Sequence, residues 1–505
     1  MGDIRLYNTS SRQKETFVPT KAGQVSMYCC GPTTYNFIHV GNARPLVVFD
    51  TVRRYFLHKG YAVTFVMNFT DVDDKIIARA KEEGEEPLAL AARYETEYFR
   101  DADALGAMGA THYPKVSTHM PEIISFVGAL LERQLAYVLE GDVYYAVNEF
   151  PDYGKLSKRK GEDMLEGARV DVDRRKRNPA DFALWKKGKP GEPAWDSPWG
   201  QGRPGWHIEC SAMSHKYLGE SFDIHSGGAD LIFPHHENEI AQSEGRFGVT
   251  MAKYWLHNGF ITVNQEKMSK SLGNFFLVRE VRKLYTGRVI RFYLLSVHYR
   301  SPLDFDEEKL AVAQKSWERL ATAVRLAKDA LQMPQAPGDE QSDRAFVSEM
   351  AMGRQQFEEA MEDDFNTALA IAALFDLARC LNGYVGGGAV TPALLEENVT
   401  AFLALADVLG LGLADSVETE EDADEEIKGG LAALLADVAQ DSSAVPSQEG
   451  TASASLEELM EQVLALRRIY RETKQFKAAD GIRDGLKALG IVVEDTAQGV
   501  RWHRG

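Results

Sequence analysis

The tetrapeptide His39-Val40-Gly41-Asn42 stands where a short apolar run, Val25 to Tyr28, has passed through Cys-Cys-Gly-Pro and helix-like apolar spacing begins. A helix start there would offer unpaired amide N–H groups and the positive end of the helix dipole to a phosphate, and Gly41 would let that phosphate approach the backbone. His39 and Asn42, three apart, would share one helix face. Far downstream, Lys267-Met268-Ser269-Lys270-Ser271 places two lysines among small residues, suited to neutralising a triphosphate and following the charge that builds as pyrophosphate departs. A third set has metal-ligand character. His235 and Glu239 are four apart in PHHENEIAQ, so a helix begun near Pro234 projects both from one face. Cys210, with one of Cys29 or Cys30, would complete a zinc site of two thiolates, an imidazole and a carboxylate. HHENE is not HExxH, which excludes the metalloprotease arrangement. Taken singly, each motif also fits a plainer role: a helix-start histidine, a solvated turn, a core histidine, cysteines as small buried hydrophobes.

Elements that could position these groups follow from the pattern. The Val25 strand, the glycine turn, the apolar-periodic HVGNARPLVVFDTVRRYFLHKG and the β-branched run AVTFVMNFT make a strand–helix–strand unit of a parallel nucleotide-binding sheet. FDIHSGGADLIFPHHENEIAQSEG reads as a second strand, Gly-rich loop and helix. Between the two lies an insertion of about residues 112–204, basic and Pro/Gly-rich from Tyr153 to Gly205, so that one Rossmann-like domain is split. The expected architecture is α/β: a parallel-sheet catalytic domain at about 1–310, with the lysine-motif region at about 250–310, then a helical bundle at about 311–412. An acidic and Ser-rich stretch, about 413–455, buries too little to offset its ordering entropy, except where AALLADVA could form a short helix, and reads as a flexible tether. A helical module with a small terminal hairpin occupies about 456–505. Asp71, Asp73 and Asp74 suggest a magnesium cluster at first sight, but a helix-capping acidic turn accounts for them better. Lys155-Leu156-Ser157-Lys158 resembles the lysine motif but lacks its strand context.

The chain has 505 residues, 44% hydrophobic and 26% charged, enough for several domains. The first residues lack the basic and apolar regions of a signal peptide, and nowhere do about 18 apolar residues run uninterrupted, so a cytoplasmic protein with no membrane partner is expected. Four scattered cysteines favour thiol chemistry or metal ligation over a disulfide framework. A formal charge of −18 argues against nonspecific nucleic-acid binding. Local basic runs at 158–160, 174–177 and 186–189, and after Arg467, could still hold a specific RNA.

The order HVGN then KMSKS, across two strand–helix passages, resembles the HIGH and KMSKS signatures of class I aminoacyl-tRNA synthetases. CGPTTYNFIHVGNARP, NFTDVDDKI, GWHIECSAM, the PHHENE segment, KMSKSLGN and the terminal IRDGLKALGIVVEDTAQGVRW together resemble the cysteinyl-tRNA synthetase family over nearly the whole chain. That resemblance implies zinc on Cys30, Cys210, His235 and Glu239, and strand alternation agrees that Cys29 and Cys30 do not both face a metal. It implies catalytic roles for His39, Asn42, Lys267 and Lys270. An adenylate site of Gly41, Thr70, Trp206, His225, Gly227, Gly228, Asp230 and Lys270 is implied with them, although Trp206 could equally be core. ATP with Mg2+, L-cysteine and tRNA(Cys) are the implied partners, a monomer the expected state, and the C-terminal module the anticodon reader. From Leu466 to Gly505 nine Lys or Arg stand against five acids, a formal +4, with Arg467, Arg468, Arg471, Arg483, Arg501 and Trp502 as candidate RNA contacts. Asn42 departs from the usual second histidine of the signature; it can donate to phosphate but cannot become cationic. Two rivals remain: a ligase passing cysteine to an amino sugar, which would lack the RNA-reading module, and a nonenzymatic zinc protein binding RNA.

Overall fold

The computed structural model describes residues 3–159, 175–263, 266–267, 275–332, 338–414, 428, 430–431, 434–435, 456–473, 475–489, 491–496 and 499–504. Lys270, Arg174 and most of the acidic and Ser-rich stretch lie outside them, as do the side chains of Lys267, Arg501 and Trp502. Contacts divide the chain into two units, Met1–Leu413 and Ala414–Gly505.

The first unit is organised by a four-stranded, wholly parallel sheet. Its strands are β1 (Gln24–Cys29), β2 (Ala62–Met67), β3 (Phe222–Gly228) and β4 (Ala252–Asn258), in the spatial order β4-β3-β1-β2. Their central residues, Met27 to Cys29, Phe65 to Met67 and Phe222 to Gly227, are continuously buried, as strands covered on both faces must be. The chain runs outward from β1 to β2 and then returns to β3 on the other side of β1. The C-terminal ends of β1 and β3 therefore form the switch point at which open α/β sheets bind ligands. Between β1 and β2 runs α1 (Val40–His58), and between β3 and β4 runs α3 (Glu237–Phe247), preceded before β3 by α2 (Trp206–Leu218).

The insertion is a separate antiparallel sheet of Ala136–Leu139, Asp142–Tyr145, Phe182–Lys187 and Gly202–Pro204. Its inner face, with Trp185 fully buried, shares one core with helix Met120–Glu132, α2 and α3. Asp73 caps helix Asp74–Glu83 by accepting from Lys75 N, and Asp71 accepts from Ser117 N at 2.9 Å, so the acidic turn is a capping structure.

Four long helices follow: Glu307–Gln332, Glu340–Glu362, Thr367–Gly386 and Pro392–Val408. Thr367–Gly386 is long and apolar enough to cross a membrane by length and composition, which the uninterrupted-run criterion passed over. It packs instead against Glu340–Glu362 and Glu307–Gln332, burying Leu374, Leu377 and Leu381. The bundle is fastened to the sheet through α1. Asp50 bonds Arg291 Nη2 at 2.6 Å with both side chains buried, and Arg291 Nε donates to Leu409 O.

In the second unit, helices Leu456–Glu472 and Phe476–Ala488 pack with the antiparallel hairpin Ile491–Thr496 and Gly499–Arg504. Its core holds Met460, Val463, Ile482, Leu486 and also Leu431, with Leu434 and Leu435 packed against it. The stretch read as a tether thus contributes Leu431, Leu434 and Leu435 to a core, the last two from the AALLADVA segment allowed as a short helix and Leu431 from just before it, because these leucines find apolar partners in the helices beyond.

Candidate active site

The HVGN segment behaves as a helix start. His39 is the N-cap of α1: its Nδ1 accepts from Asn42 N at 3.2 Å, and Asn42 Oδ1 accepts from His39 N at 3.3 Å. This reciprocal cap replaces the shared helix face expected of the pair, since His39 has extended backbone and precedes the helix. Phosphate would meet the amides beyond it, at Gly41.

The chain leaving the lysine motif is pinned to the same place. Leu277 pairs with His39 as an antiparallel bridge, Val40 N donates to Phe276 O, and Val278 N donates to Ile38 O. At the start of the motif, Lys267 lies opposite Thr262 in a tight antiparallel pair that continues from Ile261. Sequence positions more than 200 apart are thereby brought to one opening. Arg44, fully buried in α1, sets that opening by donating from Nη1 to Gly259 O and Phe260 O, both at 2.8 Å.

A cavity of about 320 Å³ lies at the switch point. Its wall includes Cys30, Gly31, His39, Gly41, Asn42, Trp206, Gly228, Asp230 and Ile261. Gly31 is required by close approach: a Cβ there would stand 1.7 Å from Asn68 O. Thr70, His225 and Gly227 stand behind this wall, fully buried. Thr70 Oγ1 donates to Glu209 Oε2 at 2.9 Å, and His225 turns to Glu239.

Cys30 also belongs to a compact group of metal-ligand types. Cys30, Cys210, His235 and Glu239 bring one ligand atom each within 4.8 Å of one another. Cys30 Sγ is 3.7 Å from Cys210 Sγ and 3.5 Å from Glu239 Oε1, and His235 Nε2 is 3.1 Å from that oxygen. The spacing argument for His235 and Glu239 survives a local change: α3 begins at Glu237, and His235 sits in a preceding π-turn from Ile232 to His236. Cys29 points elsewhere, fully buried, with burial pushing its thiol up to about 12.

The structure brings in a second quartet that sequence reasoning missed: Cys30, His225, His236 and Glu239. His236 Nε2 lies 3.4 Å from Cys30 Sγ and its Nδ1 2.8 Å from His257 Nε2, while His257 Nδ1 meets Thr9 Oγ1 at 2.8 Å. The doublet in PHHENE was the signal for it. His207 Nδ1 stands 2.9 Å from His235 Nδ1, and Trp206 lies against the His235 ring at 4.2 Å.

These groups respond to one another electrostatically. Burial opposes ionising Glu239, but His225 and His235 outweigh it and hold the carboxyl at about 2. Burial disfavours the His235 cation, yet Glu239 and Cys210 raise it to about 10. Burial likewise opposes a Cys210 thiolate, while the hydrogen bond from Cys30 and contact with His235 bring it down to about 6. Burial and the neighbouring Cys210 push Cys30 upward. Soft and borderline donors converge here around negative charge, the chemistry that suits zinc.

In the C-terminal unit Arg467 is buried, and Arg483 pairs with Asp480 at 3.2 Å and Asp484 at 3.3 Å. Arg468 and Arg471 are exposed on helix Leu456–Glu472.

Solved structures share this architecture. Methionyl-tRNA synthetase of Mycobacterium tuberculosis in complex with methionyl-adenylate aligns over 77% of this chain and 90% of its own, with TM-score 0.55 and 13% identity. The Agrobacterium radiobacter LeuRS in a ternary complex with tRNA aligns over 79% and 85%, with TM-score 0.59 and 12% identity. The catalytic unit thus has the fold of class I aminoacyl-tRNA synthetases. Residues 16–315 match the model described as the tRNA synthetases class I (C) catalytic domain, 356–414 the DALR domain, and 453–502 the cysteinyl-tRNA ligase anticodon binding domain. Cysteine–tRNA ligase of Heliobacterium modesticaldum is 58% identical over 99% of both chains, and that of Desulforamulus reducens 55% over 99% of this chain and 100% of its own. The chain belongs to the cysteine–tRNA ligase family.

Proposed function

We propose that the protein joins L-cysteine to ATP as cysteinyl-adenylate, releasing pyrophosphate, and passes the acyl group to the terminal ribose of tRNA(Cys) in the cytoplasm. The observation that carries the reading is the double membership of Cys30, which lines the cavity at the HVGN helix start and belongs to the four-ligand cluster behind it. A cysteine molecule seated there would have its sulfur at the cluster and its α-carboxylate toward Gly41.

Zinc is assigned to Cys30, Cys210, His235 and Glu239. This quartet offers two thiolates, whereas the alternative leaves out Cys210, the thiol lowered to about 6, and offers only one. Zinc held there supplies a ligand position that favours sulfur over oxygen, and so separates cysteine from serine. A hydrophobic pocket alone separates near-isosteres by only about 1–3 kcal/mol. His225, His236 and His207 orient the ligands from behind.

The chain's own groups carry out the chemistry by positioning and charge. His39 and Asn42 fix the first turn of α1 so that the Gly41 amide faces the α-phosphate, with the Asn42 oxygen engaged inward and its NH2 the end available to phosphate oxygen. Lys267 and Lys270 act on the leaving pyrophosphate, whose Mg2+ arrives with ATP. Trp206, Gly228 and Asp230 wall the adenylate, while Thr70, His225 and Gly227 support it from behind. Arg468, Arg471, Arg501 and Trp502 of the C-terminal module contact the anticodon stem-loop, with Arg467 and Arg483 in supporting places.

The test pairs zinc analysis with cysteine-dependent pyrophosphate exchange and tRNA charging. One zinc per chain, retained in Cys29→Ala and lost in Cys30→Ala, is expected; the reverse pattern refutes the ligand assignment. Absence of exchange with cysteine refutes the activity, and transfer to an amino sugar in place of tRNA would establish the amino-sugar ligase instead.

A further inference from the structure

Tyr35, Phe37 and Lys75 stand together on the wall of the cavity, on the side of the edge strand β2. The loop carrying the two aromatics is laced to the end of β2, with Thr34 N donating to Thr70 O and Thr70 N to Pro32 O, both at 3.2 Å. Lys75 is the second residue of helix Asp74–Glu83, which follows β2; it is exposed, and its Nζ stands 5.3 Å from the centre of the Tyr35 ring. Arg279 covers the Phe37 ring at 3.9 Å, and Tyr94 meets the edge of Phe37 at 5.2 Å.

Two relationships say what this group faces. Lys75 is next to Asp74, whose carboxylate binds Lys186 at 2.7 Å and is also bonded by Arg203 Nη2, so the basic strands of the insertion end beside Lys75. Gly259, Phe260 and the turn bearing Lys267 instead follow β4, at the opposite edge of the sheet. On its β2 side the cavity wall thus carries a cation, Lys75, while on its β4 side the chain leads from Phe260 and Ile261 toward the lysine motif. The β4 side adjoins the lysine motif that suits a triphosphate, and the β2 side pairs an ammonium group with an aromatic ring at the end of a basic surface. Single-stranded nucleic acid is held by that second combination, a ring for the base and a cation for the phosphate.

We propose that Tyr35 and Lys75, backed by Phe37 and Arg279, form the seat of the unpaired 3′ end of the acceptor RNA. Lys75 takes a phosphate, Tyr35 takes a base, and the insertion guides the strand to them past Asp74. This rests on the adenylate-forming reading of the cavity and adds to it a binding site for the second substrate.

The experiment compares Lys75→Ala, Lys75→Arg, Tyr35→Ala and Tyr35→Phe in the full chain, reading cysteine-dependent pyrophosphate exchange and single-turnover transfer from preformed cysteinyl-adenylate to tRNA. In both alanine variants transfer is expected to fall about tenfold or more beyond any fall in exchange. Lys75→Arg and Tyr35→Phe should recover most of it. Lys75→Ala should also make the dependence of transfer efficiency on salt shallower, by about 0.7 in the log–log slope for one phosphate contact on a single strand. Equal losses in exchange and transfer would overturn the proposal by placing Lys75 on ATP, and undiminished transfer in the alanine variants would overturn it outright. A wild-type enzyme without cysteine-dependent exchange would remove the underlying reading, and the proposal with it, an outcome distinct from selective failure of the variants in an active enzyme.

Discussion

The His225 imidazole Nε2 lies 2.8 Å from Glu239 Oε2, and neither side chain reaches solvent. This contact uses one carboxylate oxygen and turns the other, Oε1, toward His235 and Cys30. His225 is also stacked on Trp255, with ring centres 4.4 Å apart, so its direction is fixed by packing. It is therefore better placed to orient a metal ligand than to touch an adenylate.

His225→Ala should weaken zinc binding by about 10–100-fold. Chelator competition measures this directly, independent of turnover. Affinity equal to wild type would return His225 to an adenylate-lining role.

Lys270→Ala should slow adenylate formation by about 10²-fold or more with little change in apparent cysteine affinity, because its charge acts on the departing pyrophosphate. Presteady-state adenylate formation at wild-type rate would make the lysine motif a purely structural loop.

Removing the chain after Leu413, where the two units divide, should preserve pyrophosphate exchange and cripple tRNA charging. A cut near Asp441 is less suitable, since it would strip Leu431 of Met460 and Val463 and leave an apolar remnant. Charging at full efficiency by the shortened enzyme would move RNA recognition to the basic insertion.

Asp50→Ala should destabilise the first unit by about 3–5 kcal/mol, because it leaves the buried Arg291 guanidinium without its carboxylate. Glu340→Ala, which removes the partner of Arg344 in an exposed pair, should change stability by less than about 1 kcal/mol. Denaturant titration distinguishes the two, and equal costs would contradict the assignment of Asp50 as an anchor.

Glu358 links the bundle to the end of α1, lying 2.8 Å from His58 Nε2 and 2.7 Å from Lys59 Nζ. Partial burial opposes its charge, but Lys59 and His58 prevail and lower its pKa below the ordinary 4.5. The unfolded chain binds the proton more readily, so this contribution is present above 4.5 and fades as pH falls through the lowered folded value. The stability gap between wild type and Glu358→Gln should accordingly shrink on acidification through that window. A gap that is constant or widens would assign the effect of the substitution to packing.

The sequence by itself determined the local chemistry and the class of fold. Strand Ala62–Met67 and helix Val40–His58 were legible because apolar period and glycine placement act within a few residues. His235 and Glu239 were legible as neighbours because i,i+4 spacing is a local geometric fact. Tertiary structure alone decided what depends on long-range packing. The reciprocal cap between His39 and Asn42 depends on where the helix begins, which is set by the bridge to Leu277 more than 200 residues away. Thr70 and His225 retreat behind the cavity wall because Glu209 and Glu239, from distant helices, claim their polar atoms. His236 and His257 join the cluster only through the crossing of β4 beside β3, and Leu431 enters a core because helices beyond its polar neighbours supply apolar partners. Burial and pairing of this kind are properties of the assembled sheet and bundle, and no spacing along the chain encodes them.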